Sequence, residues 1–186
     1  MSSSYPGPLR DEPLAIELHN TLYAAGGSDF DGLADACDAW LDGLADRLPA
    51  GSGAPPAPHE LIALRHAVRS TLHAAVDGSP QDEAAVNVLN GASARAPSSP
   101  AARWRAGDVV PAIDRRDASR ADIVIAALAA DAIELITGPR RADLRACGAP
   151  GCVLMFLKDH PRREWCSNAC GNRARQARHY QRARRA

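Results

Sequence analysis

Residues 144–184 read LRACGAPGCVLMFLKDHPRREWCSNACGNRARQARHYQRAR and hold four of the chain's five cysteines. The spacing is Cys147-x4-Cys152-x13-Cys166-x3-Cys170. A structural zinc ion prefers a closed tetrahedron of ligands, and two close cysteine pairs separated by a loop can supply four thiolates. Gly148, Ala149, Pro150 and Gly151 space the first pair and suit a tight turn. The second pair falls at the start of a predicted helix, four residues apart, so that both sulfurs face one side. Four thiolates leave no open coordination position, which argues against a catalytic metal. One structural Zn2+ on Cys147, Cys152, Cys166 and Cys170 is the expectation; disulfides and an iron–sulfur cluster are the competing uses of the same residues. Val153, Leu154, Phe156 and Trp165 can build only a miniature core. Zinc is therefore expected to fold residues 144–172, contributing about 10–16 kcal/mol as in other small zinc modules. Arg145, Arg162, Arg163 and Arg173 are close enough in sequence to offset the negative charge of the thiolates.

The arginines that follow form the second signal. Arg175, Arg178, Arg182 and Arg185 recur at spacings of three, four and three, which lines one helical face. With Arg173 they are the candidate nucleic-acid contacts. A helix about 10 Å wide fits a DNA major groove, where arginine reaches phosphates and guanine edges. Five neutralised phosphates predict a slope of about −4 to −5 in log affinity against log salt. One finger offers a small interface, so a homodimer is a natural way to gain specificity. A solvated basic tail is the plain alternative for such a run.

Charge is divided along the chain. The total balances, with 22 basic and 22 acidic residues among 186. Residues 1–137 nevertheless hold 10 Arg against 19 Asp and Glu, a net of −9, and residues 138–186 hold 12 Lys and Arg against 3 acids, a net of +9. An acidic body carrying a basic end suits a polyanionic partner at that end. No apolar run is long enough for a membrane span, and the first eight residues do not read as a secretory signal. The expected compartment is the cytoplasm.

The body reads as helical. Leu33, Cys37, Trp40, Leu41, Leu44 and Leu48 share one helical arc, and Asp31, Asp35, Asp38, Asp42 and Asp46 the opposite one. A helix over 14–24 precedes it. Another starts near His59 and Glu60 and stops at Asp77-Gly78, burying Leu61, Leu64, Val68, Leu72 and Ala75. A shorter one spans 81–89 and ends at Asn90-Gly91. The longest covers 119–137, with Ser119 and Asp122 as a capping box. Arg103-Trp104-Arg105 and residues 109–113 flank a turn and predict a small hairpin. Residues 1–10 and 49–58 look unstructured, the latter, PAGSGAPPAP, as a low-complexity linker or long loop. His59, His66 and His73 share a face but lie about 10 Å apart along the axis, too far for one metal. Cys37 falls on the apolar face and reads as a buried, inert thiol. No nucleophile–base pair or glycine-rich phosphate loop is present, so no catalytic residue is assigned.

Residues 144–184 resemble the CGNR zinc finger, named for the tetrapeptide that stands here at Cys170 to Arg173. Residues 14–44, LAIELHNTLYAAGGSDFDGLADACDAWLDGL, resemble the start of the ABATE domain that precedes this finger. The resemblance implies a bacterial, stress-responsive transcription regulator, cytoplasmic and nucleoid-associated, that binds DNA through a zinc finger. It maps the zinc ligands onto Cys147, Cys152, Cys166 and Cys170. It divides the chain into a sensor or dimerisation domain at 9–137, a connector at 138–143 and a finger at 144–186. The expected fold class is mainly α: a helical N-terminal domain with a small β-hairpin, plus a treble-clef-like four-cysteine finger ending in a basic helix. Asn20-Thr21 matches the family's domain motif, with Asn20 expected to cap backbone inside the fold. Arg65 and Arg69 are candidates to hold an anionic small-molecule effector. The rival functions are an RNA-binding or ribosome-associated zinc module, a protein-interaction adaptor gripping through the finger, and a ligand sensor whose tail is incidental.

Overall fold

The apolar stripes of the N-terminal region converge on one core. The computed structural model describes residues 5–8, 11–25, 28–115 and 117–184. The body is built from α1 (Leu14–His19), α2 (Gly32–Gly43), α3 (Pro58–Asp77), α4 (Glu83–Ser93) and α5 (Arg120–Thr137). Two antiparallel hairpins interrupt them, β1 (Leu22–Ala25) with β2 (Ser28–Asp31) and β3 (Ser99–Arg105) with β4 (Asp108–Asp114). A 3-10 turn (Pro139–Asp143) leads to β5 (Leu144–Ala146), β6 (Met155–Leu157) and the final helix α6 (Asn168–Ala183). The fold is mainly α, as the sequence predicts. No helix among the described residues is long and apolar enough to cross a membrane.

Local chemistry sets most boundaries. Pro58 opens α3, the Glu60 side chain accepts from the Ala57 N–H at 3.0 Å, and Gly78 closes it in the left-handed region at φ 68°. The Ser119 hydroxyl accepts from the Asp122 N–H at 3.1 Å and starts α5. Leu33, Trp40, Leu44, Leu61, Leu72 and Leu128 fill the core, and Asp35, Asp38, Asp42 and Asp46 face solvent. Cys37 is buried, and burial pushes its thiol up to about 11.

Four expectations need correction. The helix expected over 14–24 stops at His19, because Asn20 turns its amide to a strand far away in sequence and Leu22–Ala25 pairs with β2. Tyr23 and Phe30 stack across that hairpin at 5.4 Å. Helix α4 does not end at Asn90-Gly91 but runs to Ser93. Ala85 and Leu89 are buried and Ala92 packs on the core, and this outweighs the roughly 1 kcal/mol a mid-helix glycine costs. Asp31 is not part of a free acidic stripe: it caps α2 and pairs with Arg65. Residues 49–58 are the long loop of the two alternatives, and they are packed on the body, not unstructured. The Arg120 N–H donates to the Ser52 carbonyl at 2.8 Å, and a Cβ on Gly51 would stand 2.9 Å from Ile123 Cδ1. The missing side chain lets this loop lie directly on α5.

Candidate metal centre and nucleic-acid interface

Strands β5 and β6 pair in the register Leu144↔Leu157, Arg145↔Phe156 and Ala146↔Met155. The loop between them is the knuckle. The Cys147 N–H donates to the Leu154 carbonyl at 2.9 Å and the Cys152 N–H to the Ala149 carbonyl at 3.0 Å, which turns both sulfurs inward at the hairpin mouth. The second pair comes from the start of α6. Ser167 is the N-cap and its hydroxyl accepts from the Cys170 N–H at 3.3 Å. Cys170 therefore stands in the first helical turn, whereas Cys166 lies just ahead of the cap rather than on the helix as expected.

The four sulfurs lie within 4.8 Å of one another, with Cys166 and Cys170 at 3.4 Å and Cys152 and Cys166 at 3.8 Å. A tetrahedron with Zn–S bonds of about 2.3 Å has edges of about 3.8 Å. The cluster fits one structural zinc ion. Among the described residues it is the only group of His, Cys, Asp or Glu side chains gathered closely enough to hold a metal. Hydrogen bonding within the cluster, above all with Cys166, lowers the Cys152 thiol from its ordinary value, the direction that favours a metal-ligating thiolate.

The CGNR tetrapeptide has a physical reading. Cys170 is in the cluster. Gly171 makes room for the indole of Trp165, since a Cβ there would stand 2.9 Å from Trp165 Cδ1. Asn172 accepts from the Arg175 guanidinium. Arg173 Nη2 lies 3.2 Å from Cys170 Sγ. Four thiolates around Zn2+ leave two net negative charges, and Arg173 stands against them. Arg145 turns instead to the carbonyls of Ala142 and Leu144, and Arg163 lies over the Phe156 ring at 4.9 Å and pairs with Glu12. Gly171→Val is expected to displace the indole, shift the Trp165 indole N–H resonance and cost about 1–3 kcal/mol in calorimetry. An unmoved resonance and an unchanged unfolding midpoint would contradict this reading of the glycine.

Beyond Arg173, helix α6 shows arginine to solvent. Arg175, Arg178 and Arg182 are exposed, and none is paired with a carboxylate among the described residues. Arg185 lies outside the described residues. His179 and Tyr180 are also exposed.

The finger does not stand alone. Strand alternation sends Met155 and Leu157 into the body core, together with Leu144, while Phe156 packs in the finger with Leu154, Trp165 and the body's Tyr23. The expectation that residues 144–172 bury little without zinc is thus corrected. Two body side chains grip the inner strand. Asn20 Nδ2 donates to the Met155 carbonyl at 3.0 Å, and the Met155 N–H donates to Asn20 Oδ1 at 2.9 Å. Glu12 accepts from the Leu157 N–H at 2.9 Å and pairs with Arg163. Glu12 is itself held by its N–H to Glu17 and by Arg47 on its carbonyl. Because Asn20 Oδ1 already accepts from Met155, the 3.0 Å contact to His19 Nδ1 puts the proton on that ring nitrogen. Burial and Arg69 push His19 down to about 3, so the ring is neutral.

Arg65 is not free for an effector. It is buried, makes two 2.6 Å bonds to Asp31 and donates to Thr21 at 3.0 Å. Arg69 donates to the His19 carbonyl at 3.2 Å. His59, His66 and His73 are all exposed, and His73 also reaches the buried His19 at 3.4 Å.

A helical body docked on a treble-clef-like finger, with four cysteines gathered for zinc and an arginine helix leading away, defines a zinc-finger protein. Residues 12–139 match the ABATE family model, described as "Putative stress-induced transcription regulator", and residues 144–183 match the CGNR zinc finger. The chain belongs to the ABATE family and carries a CGNR zinc finger at its C-terminal end. Neither description is that of an enzyme. A comparison with curated proteins finds no match to this chain.

Proposed function

We propose that the chain is a zinc-dependent DNA-binding transcription regulator whose cysteine cluster aims the arginine helix at DNA. The observation that carries this reading is the joint between cluster and helix. Cys170 belongs to both, so a metal bound there fixes where α6 points, and the exposed arginines follow within four turns. In this reading zinc is held by Cys147, Cys152, Cys166 and Cys170. Arg175, Arg178, Arg182 and Arg185 take phosphates or guanine edges, while Arg173 stays with the sulfurs. Four phosphates give a slope of about −3.6 in log affinity against log salt, shallower than five would give. The zinc has a structural role, and no catalytic chemistry is assigned to it.

The body acts as the sensing or assembling part. A cavity of about 240 Å³ lined by Leu41, Leu48, Gly51, Pro55, Arg120 and Val124 supports a role in taking up a small effector. Its grip on β6 through Asn20 and Glu12 gives the body mechanical contact with the strand that follows the knuckle.

The test is a salt titration of duplex DNA binding by the native chain and by an Arg178→Ala, Arg182→Ala variant. Removal of two phosphate contacts is expected to flatten the slope by about 1.8 and weaken binding uniformly across sequences. An unchanged slope contradicts the assignment. Structured RNA that competes better than duplex DNA moves the function to an RNA module.

A further inference from the structure

The hairpin of β3 and β4 is built with its apolar side outward. Residues directly opposed across an antiparallel pair share a face, and successive residues alternate. One face therefore carries Pro100, Ala102 and Trp104 opposite Ile113, Pro111 and Val109. It has no polar side chain, and all six residues are exposed, Trp104 at 75%, Val109 at 57% and Ile113 at 48%. The opposite face takes the charges, Arg103 and Arg105 on one strand and Asp108 and Asp114 on the other. A soluble two-stranded hairpin ordinarily hides its apolar side, and an isolated one is marginally stable in water. The exposed face adds up to roughly 500 Å², at the upper end of what monomers leave uncovered, which marks an interaction site.

The edges of the hairpin narrow the mode of contact. Ala106 and Gly107, at φ 50° and 92°, form a two-residue turn of the kind that closes tight hairpins. Such a turn makes Arg105 and Asp108 a hydrogen-bonded pair, and alternation then puts Pro100 and Pro111 at positions whose N–H would point away from the partner strand. Each outer edge thus lacks a donor, which discourages strand addition on either side. What remains open for contact is the flat face.

We propose that this hairpin is a dimerisation arm, in which the apolar faces of two copies of the chain stack across a two-fold axis. The face is its own complement. Bulk stands at both ends, with Trp104 and Val109 near the turn and Ile113 and Pro100 at the base, and the smaller Ala102 and Pro111 lie between. A staggered antiparallel stack lays Trp104 of each copy into the low middle of the other, over Ala102 and Pro111. Two such faces bury about 1,000 Å², which reaches the lower bound for a specific interface. The blocked edges keep the assembly closed at two copies instead of extending as a filament. The inference names the dimerising element of the regulator proposed above, but it stands on the hairpin alone and its test uses no nucleic acid. Failure of one reading therefore leaves the other intact.

The experiment is sedimentation velocity on the full zinc-loaded chain across a concentration series, comparing native protein, Trp104→Glu, and Arg103→Ala on the opposite face. Native protein and Arg103→Ala are expected to reach twice the 19.7 kDa chain mass. Trp104→Glu is expected to raise the dissociation constant at least about 30-fold, as loss of a central aromatic anchor does. Trp104 is largely solvent-exposed within the chain, so circular dichroism of the variant should match the native spectrum. A native chain that stays monomeric at about 100 μM, or a dimer that persists undiminished in Trp104→Glu, overturns the proposal.

Discussion

Replacing Cys166 by Ser is expected to release zinc and unfold α6 while the body stays folded. The serine oxygen is a poor match for a thiolate, and even partners outside the coordination sphere are worth about 10–100-fold in metal affinity, so loss of a ligand should cost more. The consequence is selective because the finger is anchored in two ways. Leu144, Met155 and Leu157 belong to the body core, and Asn20 holds Met155 and Glu12 holds Leu157 without help from the metal. The knuckle at 147–152 and helix α6 depend on the sulfurs, since α6 buries only Cys170, Gly171 and Ala174. Hydrogen exchange should show amides of α6 losing protection while those of α3 and α5 keep it. Uniform loss of protection through the body, or an α6 that stays protected without zinc, would contradict this division.

Asn20→Ala is expected to destabilise the chain by about 2–5 kcal/mol, as much as emptying a core leucine site. The change strands the buried N–H and carbonyl of Met155 and leaves His19 Nδ1 without its acceptor. Each buried polar group left unpaired costs about 1–3 kcal/mol. For a chain of this size the midpoint of thermal unfolding should fall by about 5–15 °C. Asn20→Asp keeps an acceptor for the Met155 N–H but sets a carboxylate against its carbonyl, so it should not rescue. Zinc content should persist in both variants, because neither touches a sulfur. A midpoint within 1–2 °C of native for Asn20→Ala would mean that the seam is not the clamp the geometry describes.

The parts of this molecule that could be read from the chain are those written in short spacing. Four cysteines in two close pairs name their own ligand set. The Asp77-Gly78 step marks the end of α3, and Ser119 with Asp122 the beginning of α5. Ala106-Gly107 between apolar arms announces the hairpin. What stayed hidden is written at long range. Asn20 reads from the sequence as a cap on buried backbone, and it is one, but its partner Met155 lies 135 residues away and nothing near Asn20 names that strand. Glu12 gives even less sign of its role at Leu157 and Arg163. Residues 49–58 look like filler because Gly51 acts through the side chain it lacks, a feature visible only once α5 lies against it. Arg173 falls in the arginine run by spacing, yet its position one turn after Cys170 brings it to the sulfur. The same spacing rule that places the other arginines on an open face could not separate it from them.

Whether zinc aims α6 at DNA is decided by fluorescence anisotropy of random-sequence duplex DNA over a salt series, with zinc content measured on the same samples of native protein and Cys166→Ser. Native protein is expected to carry one zinc per chain and to bind at low salt with a slope of about −3.6, and the variant to lose both zinc and binding. Native protein that holds its zinc and binds no DNA at low salt, or a zinc-free variant that binds as steeply as native, would contradict that role for zinc.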